Sequence, residues 1–247
     1  MIKLISCNIG GHKHIDLVSK YLKNNSSDVI TLQEIFISDA RKLSELLDKK
    51  YIFEPLRNRR INDDLDKEFE QWGLATFTNL EIADKKTHYY EGARSDKIDY
   101  FEDGQIKNNK RALLYTSIIK DSEKYNIAHT HFTGWMPGTD RAKQIQHFNK
   151  MLFFLKENTD MVLCGDLNIN RNDDHLFPQL LELYRDNLTI IDTTIDPKLH
   201  PLSKKVKLVV DALLTSKHYG VENVRLISGV SDHKAISATI LKKLAKL

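Results

Sequence analysis

A buried strand that ends in polar residues constrains this chain more than any other stretch. Residues 161–170 read Met-Val-Leu-Cys-Gly-Asp-Leu-Asn-Ile-Asn, and the apolar start predicts a short buried strand that ends at Gly165. Asp166 and Asn168 follow two residues apart, so extended backbone presents both side chains on one side. A carboxylate beside an amide at a strand end suits metal or phosphate chemistry. The structural alternative is an Asx turn, because Asp and Asn bond to nearby backbone in turns.

The composition is that of a soluble globular protein. The 247 residues are 41% hydrophobic, which is enough for a large core, and we expect a single domain over 1–247. The net charge of +3 is compatible with a polyanionic substrate without requiring one. Both cysteines, Cys7 and Cys164, lie in apolar runs, so we expect buried free thiols and no disulfide.

The chain shows no targeting or membrane segment. Its N-terminus has neither the apolar stretch nor the cleavage site of a signal peptide. No run approaches the roughly 18 consecutive apolar residues of a transmembrane helix. We therefore expect a monomeric cytoplasmic protein without a membrane anchor.

Hydrophobic periodicity predicts nine or ten strands and four helices. Strands are expected at 2–7, 28–32, 73–77, 111–119, 125–130, 161–164, 190–191, 206–215, 221–227 and 235–241. Helices are expected at 14–24, 38–48 with Ser38 as N-cap, 139–158 and 174–185. Two charged stretches, 57–71 and 89–109, are expected to be exposed loops, and the first could alternatively face a substrate. Strands occur both side by side and separated by helices, which favours a mixed sheet arrangement with helices outside.

Polar residues recur at the ends of the predicted strands. Asp211 is the most informative, because a buried carboxylate inside the apolar run 208–214 is costly unless it is paired or hydrogen-bonded. The others are Asn8, Glu34, His131, Asp166, Asn168, Asp232 and His233. Each residue alone is weak evidence, but together they indicate a built site.

Six short segments, in this order, resemble the endonuclease/exonuclease/phosphatase superfamily of metal-dependent phosphoesterases. They are Ser6-Cys-Asn8, Leu32-Gln-Glu34, Thr130-His-Phe132, Gly165-Asp-Leu-Asn168, Val210-Asp211 and Ser231-Asp-His233. Any one of them would be unspecific, but six in order span almost the whole chain. The resemblance implies an α/β fold, a four-layer α/β sandwich of two packed mixed β-sheets flanked by helices, with the site at one end.

The resemblance also implies roles for these residues in metal-assisted, in-line attack of water on a phosphodiester. Glu34, Asn8 and Asp232 are expected at a Mg²⁺ (or Mn²⁺) site, because hard oxygen ligands suit these ions. Asn8 is also expected to contact phosphate. Asp166 would orient and deprotonate the attacking water, and Asn168 would donate its amide to a phosphate oxygen.

Two histidines and an aspartate complete the site that the resemblance implies. His233 would stabilise charge that develops on the phosphoryl group. Asp211 would hold His233 in the right tautomer and favour its protonated form. His131 would be a second imidazole on the phosphate or a general acid toward the leaving group.

Other polar residues carry weaker expectations. Arg141 and Gln144 share a helix face close to His131, where Arg141 could bind substrate; an exposed helix face is the alternative. Arg111 could touch phosphate or pair with an acid. His129, which precedes Thr130-His131, is expected on the opposite face of its strand.

The natural substrate is less constrained. The apurinic endonuclease branch of the superfamily carries Asp and Tyr where this chain has Gly10 and His131, which argues against an abasic-site nuclease. The pattern is more similar to branches that contain secreted DNases, sphingomyelinases, deadenylases and tyrosyl-DNA phosphodiesterases. We expect nucleic acid as the phosphate-containing substrate, because of the basic clusters at 57–60 and 203–207. A lipid head group or small phosphoester is the alternative, and an inactive binding module is a third hypothesis.

Overall fold

Twelve strands and four α-helices are found in the residues that the structure, a computed structural model, describes: 1–60, 69–96, 109–134, 141–172, 175–188 and 191–243. In chain order the elements are β1 (Ile2–Asn8), a 3₁₀-helix (Gly11–His14), α1 (Ile15–Asn24), β2 (Val29–Phe36), α2 (Ile37–Leu47), β3 (Tyr51–Arg60), β4 (Phe69–Thr78), β5 (Glu81–Glu91), β6 (Arg111–Lys120), β7 (Glu123–His131), α3 (Ala142–Glu157), β8 (Val162–Asp166), α4 (Phe177–Leu181), β9 (Arg185–Asp186), β10 (Asp211–Thr215), β11 (Tyr219–Ile227) and β12 (Ala235–Lys242).

The strands form two mixed sheets of six strands each. The order is β11-β12-β1-β2-β4-β3 in the first sheet and β5-β6-β7-β8-β10-β9 in the second. Each sheet has one parallel pair at its centre, β1 with β2 and β7 with β8, and the chain joins the two strands of each pair through a helix. The other pairings are antiparallel.

Apolar side chains pack in three layers around these sheets. Between the sheets, Leu4 and Val29 of the first sheet pack in one cluster with Ile127 of the second. Helices α1 and α2 cover the outer face of the first sheet, and α3 and α4 cover that of the second, where Phe148 and Leu180 are fully buried. The predicted four-layer α/β sandwich is therefore confirmed.

One end of this sandwich collects the polar strand ends. The parallel pairs β1–β2 and β7–β8 both place their C-terminal residues there, since parallel strands end at the same edge. In the register of the second sheet, His131 lies beside Asp166, and Asp211 at the start of antiparallel β10 lies on the other side of Asp166.

Two charged stretches are only partly the exposed loops that the sequence predicted, since residues 92–96 are exposed and irregular but other parts form strands. Residues 57–60 belong to β3 and pair with β4, and Tyr89–Glu91 ends β5. Both β3 and β5 are edge strands, which tolerate charge on their open faces, so charge density misled the prediction. The parts of the two stretches at 61–68 and 97–108 lie outside the described residues.

Several boundaries around the site also differ from the prediction. Gly165 does not end β8 but lies within it, opposite Ala212. Asp211 begins β10 instead of interrupting a longer strand. Because Asp211 opens the strand, its side chain lies at the end of the sheet and not in the middle of the core.

Three smaller predictions also need correction. The helix predicted at 174–185 is only α4, and position 174 lies outside the described residues. Ile191 is not in a strand, and its predicted partner in that strand, position 190, is not described. Ser38 is not the N-cap of α2, because the helix begins at Ile37 and the Ser38 hydroxyl donates to Glu70.

The cysteine prediction is confirmed. Cys7 and Cys164 are free thiols and both are buried. Among the described residues, no helix is long and apolar enough to cross a membrane.

Candidate active site

The amide of Asn8 and the carboxylates of Glu34 and Asp166 form the centre of the candidate site. Nδ2 of Asn8 donates to Oε1 of Glu34 at 3.1 Å and to Oδ2 of Asp166 at 3.0 Å. The backbone N–H of Gly10 donates to Asn8 Oδ1 at 3.1 Å, which fixes the orientation of the amide. From the end of β1, Asn8 thus positions one carboxylate from each sheet.

A β-bulge turns Glu34 toward this centre. The register of β2 with β4 shifts between Gln33 and Ile35, and Glu34 has a φ of 57°. Left-handed backbone is uncommon for a residue with a side chain, and such strain persists where the surrounding structure enforces it, often at functional sites. Gln33 stays fully buried, while the Glu34 carboxylate reaches the end of the sheet.

His131 faces the same two carboxylates. Its Nε2 lies 3.3 Å from Glu34 Oε1 and 3.7 Å from Asp166 Oδ2. Arg111 Nη1 lies 3.5 Å from Nδ1, so we assign the ring proton to Nε2. Burial and the charges of Arg111 and Arg57 lower the pKa of His131 well below its usual range. The ring is therefore neutral near pH 7, which favours a hydrogen-bond donor to phosphate over a general acid.

His233 and Asp211 form a buried pair beside Asp166. Nδ1 of His233 lies 2.8 Å from Asp211 Oδ2, and Nε2 lies 3.8 Å from Asp166 Oδ2. Burial opposes a charge on His233, but Asp211 and then Asp166 outweigh it and raise its pKa to about 10. The imidazole is therefore protonated, with Nδ1–H donating to Asp211. Thr194, which the sequence did not single out, accepts the Asp211 N–H at 3.1 Å and holds the start of β10.

Asp166 connects these groups. Burial and the neighbouring Asp211 raise its pKa to about 7, against the opposing charge of His233. Its Oδ1 accepts the Asn168 N–H at 2.8 Å, while Oδ2 faces Asn8 and the two histidines. The Asx turn is therefore present, and the other oxygen faces the candidate site, where its part in metal or phosphate chemistry stays a prediction. The expected extended backbone is wrong, because Asn168 has a φ of 49°.

Gln144 supports the backbone around Asn168. Its Nε2 donates to the carbonyls of Thr133 at 2.9 Å and Asn168 at 3.2 Å, and its Oε1 accepts from Arg141 Nε at 2.9 Å. Asn168 Nδ2 donates to the Phe132 carbonyl at 3.0 Å, which leaves its second amide hydrogen for a ligand. The shared helix face of Arg141 and Gln144 is thus turned inward, and substrate binding by Arg141 stays a prediction.

Asp232 is the acid that follows Ser231 before the last strand, and it lies against Gly10. Its Oδ1 accepts from Ser231 Oγ at 2.9 Å. Gly10 lies against it with a φ of 62°, and a Cβ there would be only 3.0 Å from that oxygen. The role of Asp232 near a metal stays a prediction.

Several residues near the site were not predicted as part of it. Arg59 Nη1 lies 3.6 Å from Glu34 Oε2, and the Arg57 guanidinium stacks 4.0 Å from the centre of the Trp72 ring. Trp72 in turn makes an edge contact with His131 at 5.5 Å between ring centres. The basic run at 57–60 is the sequence signal for these residues, and it lies in strand β3 and not in a loop.

His129 shares a strand face with His131, so the expected opposite orientation is wrong. Its Nε2 lies 3.0 Å from Thr76 Oγ1 and its Nδ1 lies 3.3 Å from Gln33 Nε2, both in the first sheet. The two histidines are two residues apart, and that spacing repeats the face of a strand. Burial lowers the pKa of His129 to about 3, which makes it a neutral core residue.

The central groups fit a hard divalent cation. Glu34, His131 and Asp166 each offer one atom, and the three atoms lie within 4.8 Å of one another. Because the His131 proton is on Nε2, the two carboxylates are the natural ligands, and carboxylate oxygens suit Mg²⁺ or Mn²⁺. Burial raises the pKa of Asp166, and a cation bound nearby would favour its charged form.

Two mixed sheets with an acid–imidazole site at one end define an α/β-sandwich hydrolase. The chain belongs to the Endonuclease/Exonuclease/phosphatase family, whose profile matches residues 5–233, and it is a phosphoesterase of that superfamily. No curated protein sequence matches it significantly.

Solved structures share the fold at low sequence identity. A family protein from Bacteroides thetaiotaomicron is 11% identical with a TM-score of 0.71, and the alignment covers 98% of each chain. A mannosyl-6-phosphatase from the same species is 11% identical with a TM-score of 0.67, over 98% of this chain and 100% of that one. The catalytic domain of human Nocturnin, solved with a bound sulfate, is 15% identical with a TM-score of 0.68, over 97% and 94%.

Proposed function

We propose that this phosphoesterase is a Mg²⁺- or Mn²⁺-dependent phosphodiesterase that hydrolyses nucleic acid. The observation that carries the proposal is the buried carboxylate of Asp166. It is held by Asn8 and faces one neutral imidazole and one protonated imidazole. Water activation and stabilisation of a phosphoryl group require such a proton acceptor beside donors.

Different side chains of the protein carry out different parts of the proposed reaction. Asp166, with a pKa of about 7, orients the attacking water and accepts its proton near neutral pH. The Nε2–H of protonated His233 stabilises the negative charge that develops on the phosphoryl oxygens. His131 and the second amide hydrogen of Asn168 donate to the same phosphate.

Glu34 would hold the metal ion, and Asn8 keeps its carboxylate beside that of Asp166, which stays available to the attacking water. When bound, such an ion neutralises the phosphate and supports the leaving oxygen.

We expect Glu34→Ala to abolish the rise in melting temperature that Mg²⁺ causes in the wild type. Glu157→Ala, at the end of α3, is the matched control that should keep it.

Positive groups on both sides of the site support a polymeric substrate. Arg59 lies beside Glu34 with 49% of its side chain exposed. On the other side, exposed Lys13 acts electrostatically on His200, whose ring lies 5.7 Å from that of His233. A nucleic acid strand carries phosphates in both directions from the bond that is cut, so it could use both sides.

A small phosphoester is the second candidate substrate. The fold is shared with a mannosyl-6-phosphatase, a protein named for a sugar phosphate. The two candidates differ in salt dependence, because binding of a polyanion releases counterions and weakens steeply with salt, whereas binding of a small phosphoester does not.

Cleavage of end-labelled DNA and RNA, single- and double-stranded, with Mg²⁺ tests the proposal. We expect the wild type and the exposed control His175→Ala to cleave, and His233→Ala or added chelator to abolish cleavage. Turnover of sugar phosphates or phospholipid head groups without any nucleic acid cleavage would contradict the nucleic acid assignment. Equal cleavage by wild type and His233→Ala would contradict the site itself.

A further inference from the structure

Three guanidinium groups lie together on one side of His131. Arg57 and Arg59 come from edge strand β3, and Arg111 comes from the start of β6 in the other sheet. All three lower the pKa of His131 electrostatically, which shows how close they are. The carboxylate of Glu34 lies 3.6 Å from Arg59. We call Arg57, Arg59 and Arg111 the arginine cluster.

Two members of the cluster already have partners. Arg111 donates to the carbonyls of His131 at 3.2 Å and Phe132 at 3.4 Å, and Arg59 is paired with Glu34. These contacts hold Arg111 against the end of β7 and leave its charge uncompensated, because carbonyls carry no net charge. Among the described residues, the carboxylate of Glu34 is the only one in an ion pair with the cluster.

Arg57 is the member without a partner. Across the residues that the structure describes, its guanidinium makes no hydrogen bond or ion pair, and its Nε is buried without an acceptor. It is held instead by stacking on the face of buried Trp72, at 4.0 Å from the ring centre. The indole N–H of Trp72 is also buried without an acceptor. Donors left unpaired at this depth are costly, so an acceptor from outside the described residues is expected, and a phosphate oxygen of the substrate is one.

The β3 backbone directs Arg57 to this place. The register of β3 with β4 shifts between Pro55 and Arg57, which marks a β-bulge at Leu56. Leu56 packs in a cluster with Ala112 of the second sheet. Arg57 lies close enough to Arg111, also of the second sheet, for the two charges to interact. Consecutive residues of a regular strand point to opposite faces, so the bulge is what turns both side chains inward.

We propose that the arginine cluster binds a second phosphate group of the substrate, next to the one that is hydrolysed. The scissile phosphate belongs to the carboxylate–imidazole centre, whereas Arg57 lies on the face of Trp72, and Trp72 in turn makes an edge contact with His131. A fork of guanidinium donors without its own carboxylate matches the oxygens of a phosphate. The inference rests on the proposed function and adds that substrates with two neighbouring phosphates are preferred.

The second phosphate could be the next one along a strand or a terminal phosphate. Thymidine dinucleotides without a terminal phosphate, with a 5′-phosphate and with a 3′-phosphate separate these sources. Bis(p-nitrophenyl) phosphate supplies a substrate with one phosphate. We expect at least about tenfold higher kcat/KM for one phosphorylated dinucleotide than for the unphosphorylated one, the range of a hydrogen bond to a charged group.

Arg57→Ala should remove this preference, and Arg57→Lys should restore part of it because the charge is kept. Arg185→Ala, an exposed arginine on β9, loses the same charge away from the site and should keep the preference. If Arg57→Ala lowers turnover of all four substrates by the same factor, the second-phosphate subsite is wrong while the phosphodiesterase proposal stands.

Binding of inorganic pyrophosphate in the presence of EDTA tests the cluster without any turnover. Isothermal titration calorimetry should show at least about tenfold weaker binding for Arg57→Ala than for the wild type or Arg185→Ala. Equal binding by all three proteins would overturn the inference. If no substrate is hydrolysed with any metal, the proposed function fails, and the pyrophosphate result still decides whether the arginine cluster binds a phosphate group.

Discussion

Asp211 and His233 show how single residues set the electrostatics of the site. Neither would be charged easily when buried alone, but each provides the opposite charge for the other. The pKa of His233 lies at about 10, so its charged form is present below that pH and is lost as pH rises through it. Because this pair faces Asp166, its charge also affects the group proposed to accept the proton from water.

We expect Asp211→Asn to lower the pKa of His233 and to reduce kcat by about 100-fold or more, the loss typical of one preorganised electrostatic group. NMR titration of the His233 ring measures the pKa, and steady-state kinetics on the cleaved substrate measure kcat. Asp192→Asn, on an exposed ion pair, is the control and should leave both unchanged. A His233 that still titrates near pH 10 in Asp211→Asn would contradict the role given to Asp211.

Gly165 is a second single residue on which the site depends. Its φ is 107°, and a Cβ there would lie 2.5 Å from the Thr130 carbonyl oxygen. We expect Gly165→Ala to lower the free energy of unfolding by roughly 3 kcal/mol, from backbone strain and overpacking together. Gly229→Ala separates the two causes, because Gly229 has a φ of 78° but nothing within 4 Å. It should cost about 1–2 kcal/mol from the backbone alone.

Urea unfolding of both glycine variants checks this difference. If both variants lose a similar free energy of unfolding, the close contact between the added Cβ and the Thr130 carbonyl contributes nothing to the destabilisation. Activity of folded Gly165→Ala is informative as well, since a shift of β8 would move Asp166 relative to His131.

At the scale of elements, the site is built where helix α3 meets the ends of β7 and β8. Gln144 near the start of the helix donates to two carbonyls, one just after each strand. Neither carbonyl belongs to regular secondary structure, so the side chain replaces the hydrogen bonds that a longer strand would make. Through this link the helix holds the left-handed backbone of Asn168.

We expect Gln144→Met to lower the free energy of unfolding by about 1–3 kcal/mol, because buried carbonyls lose their donor. It should also reduce kcat more than it changes KM, since Asn168 would lose its fixed position. Gln146→Met is an exposed substitution on the same helix and controls for helix propensity. Chemical denaturation and kinetics of both variants test the link, and equal behaviour would exclude it.

At the scale of the whole molecule, the two sheets must stay in register for one site to draw on both. Asp28 links the two sheets at the end of the strands that lies opposite the candidate site. Its carboxylate accepts the Lys3 N–H of β1 at 2.7 Å and pairs with Lys120 of β6, in the other sheet, at 2.8 Å. Burial alone would raise its pKa, but Lys120 and the Lys3 N–H outweigh burial and hold the pKa of Asp28 below its usual value.

A depressed pKa gives a defined pH dependence of stability. The contribution of Asp28 is present above its unfolded pKa and is lost as pH falls through the lower folded pKa. We expect Asp28→Asn to be roughly 1 kcal/mol less stable than wild type at pH 7 and equally stable at pH 2–3. Asp192→Asn removes a pair that is exposed on both sides and should change stability little at any pH.

Thermal unfolding across this pH range tests the prediction. A constant difference between Asp28→Asn and wild type from pH 7 down to pH 2 would mean that the lost contribution does not depend on the charge of Asp28.

The sequence by itself determined the central strands, the order of the polar strand ends and the class of chemistry. Strands β1, β2, β7 and β8 are buried on both faces. Their continuous apolar runs can therefore be recognised in the sequence without knowing which strands they pair with. Asn8, Glu34, His131 and Asp166 follow those runs directly. Their common position then follows from the parallel pairing of neighbouring strands.

Only the tertiary structure decided which charges meet. The bulges at Glu34 and Leu56 break the alternation of side chains, so strand periodicity assigns the wrong face around them. The contacts of Arg57 with Trp72 and of His233 with Asp211 depend on strand pairing and chain crossings that local patterns do not encode. Edge strands and single bulges are therefore where the sequence-based prediction failed, and edge strand β3 is also where the structure places Arg57 and Arg59.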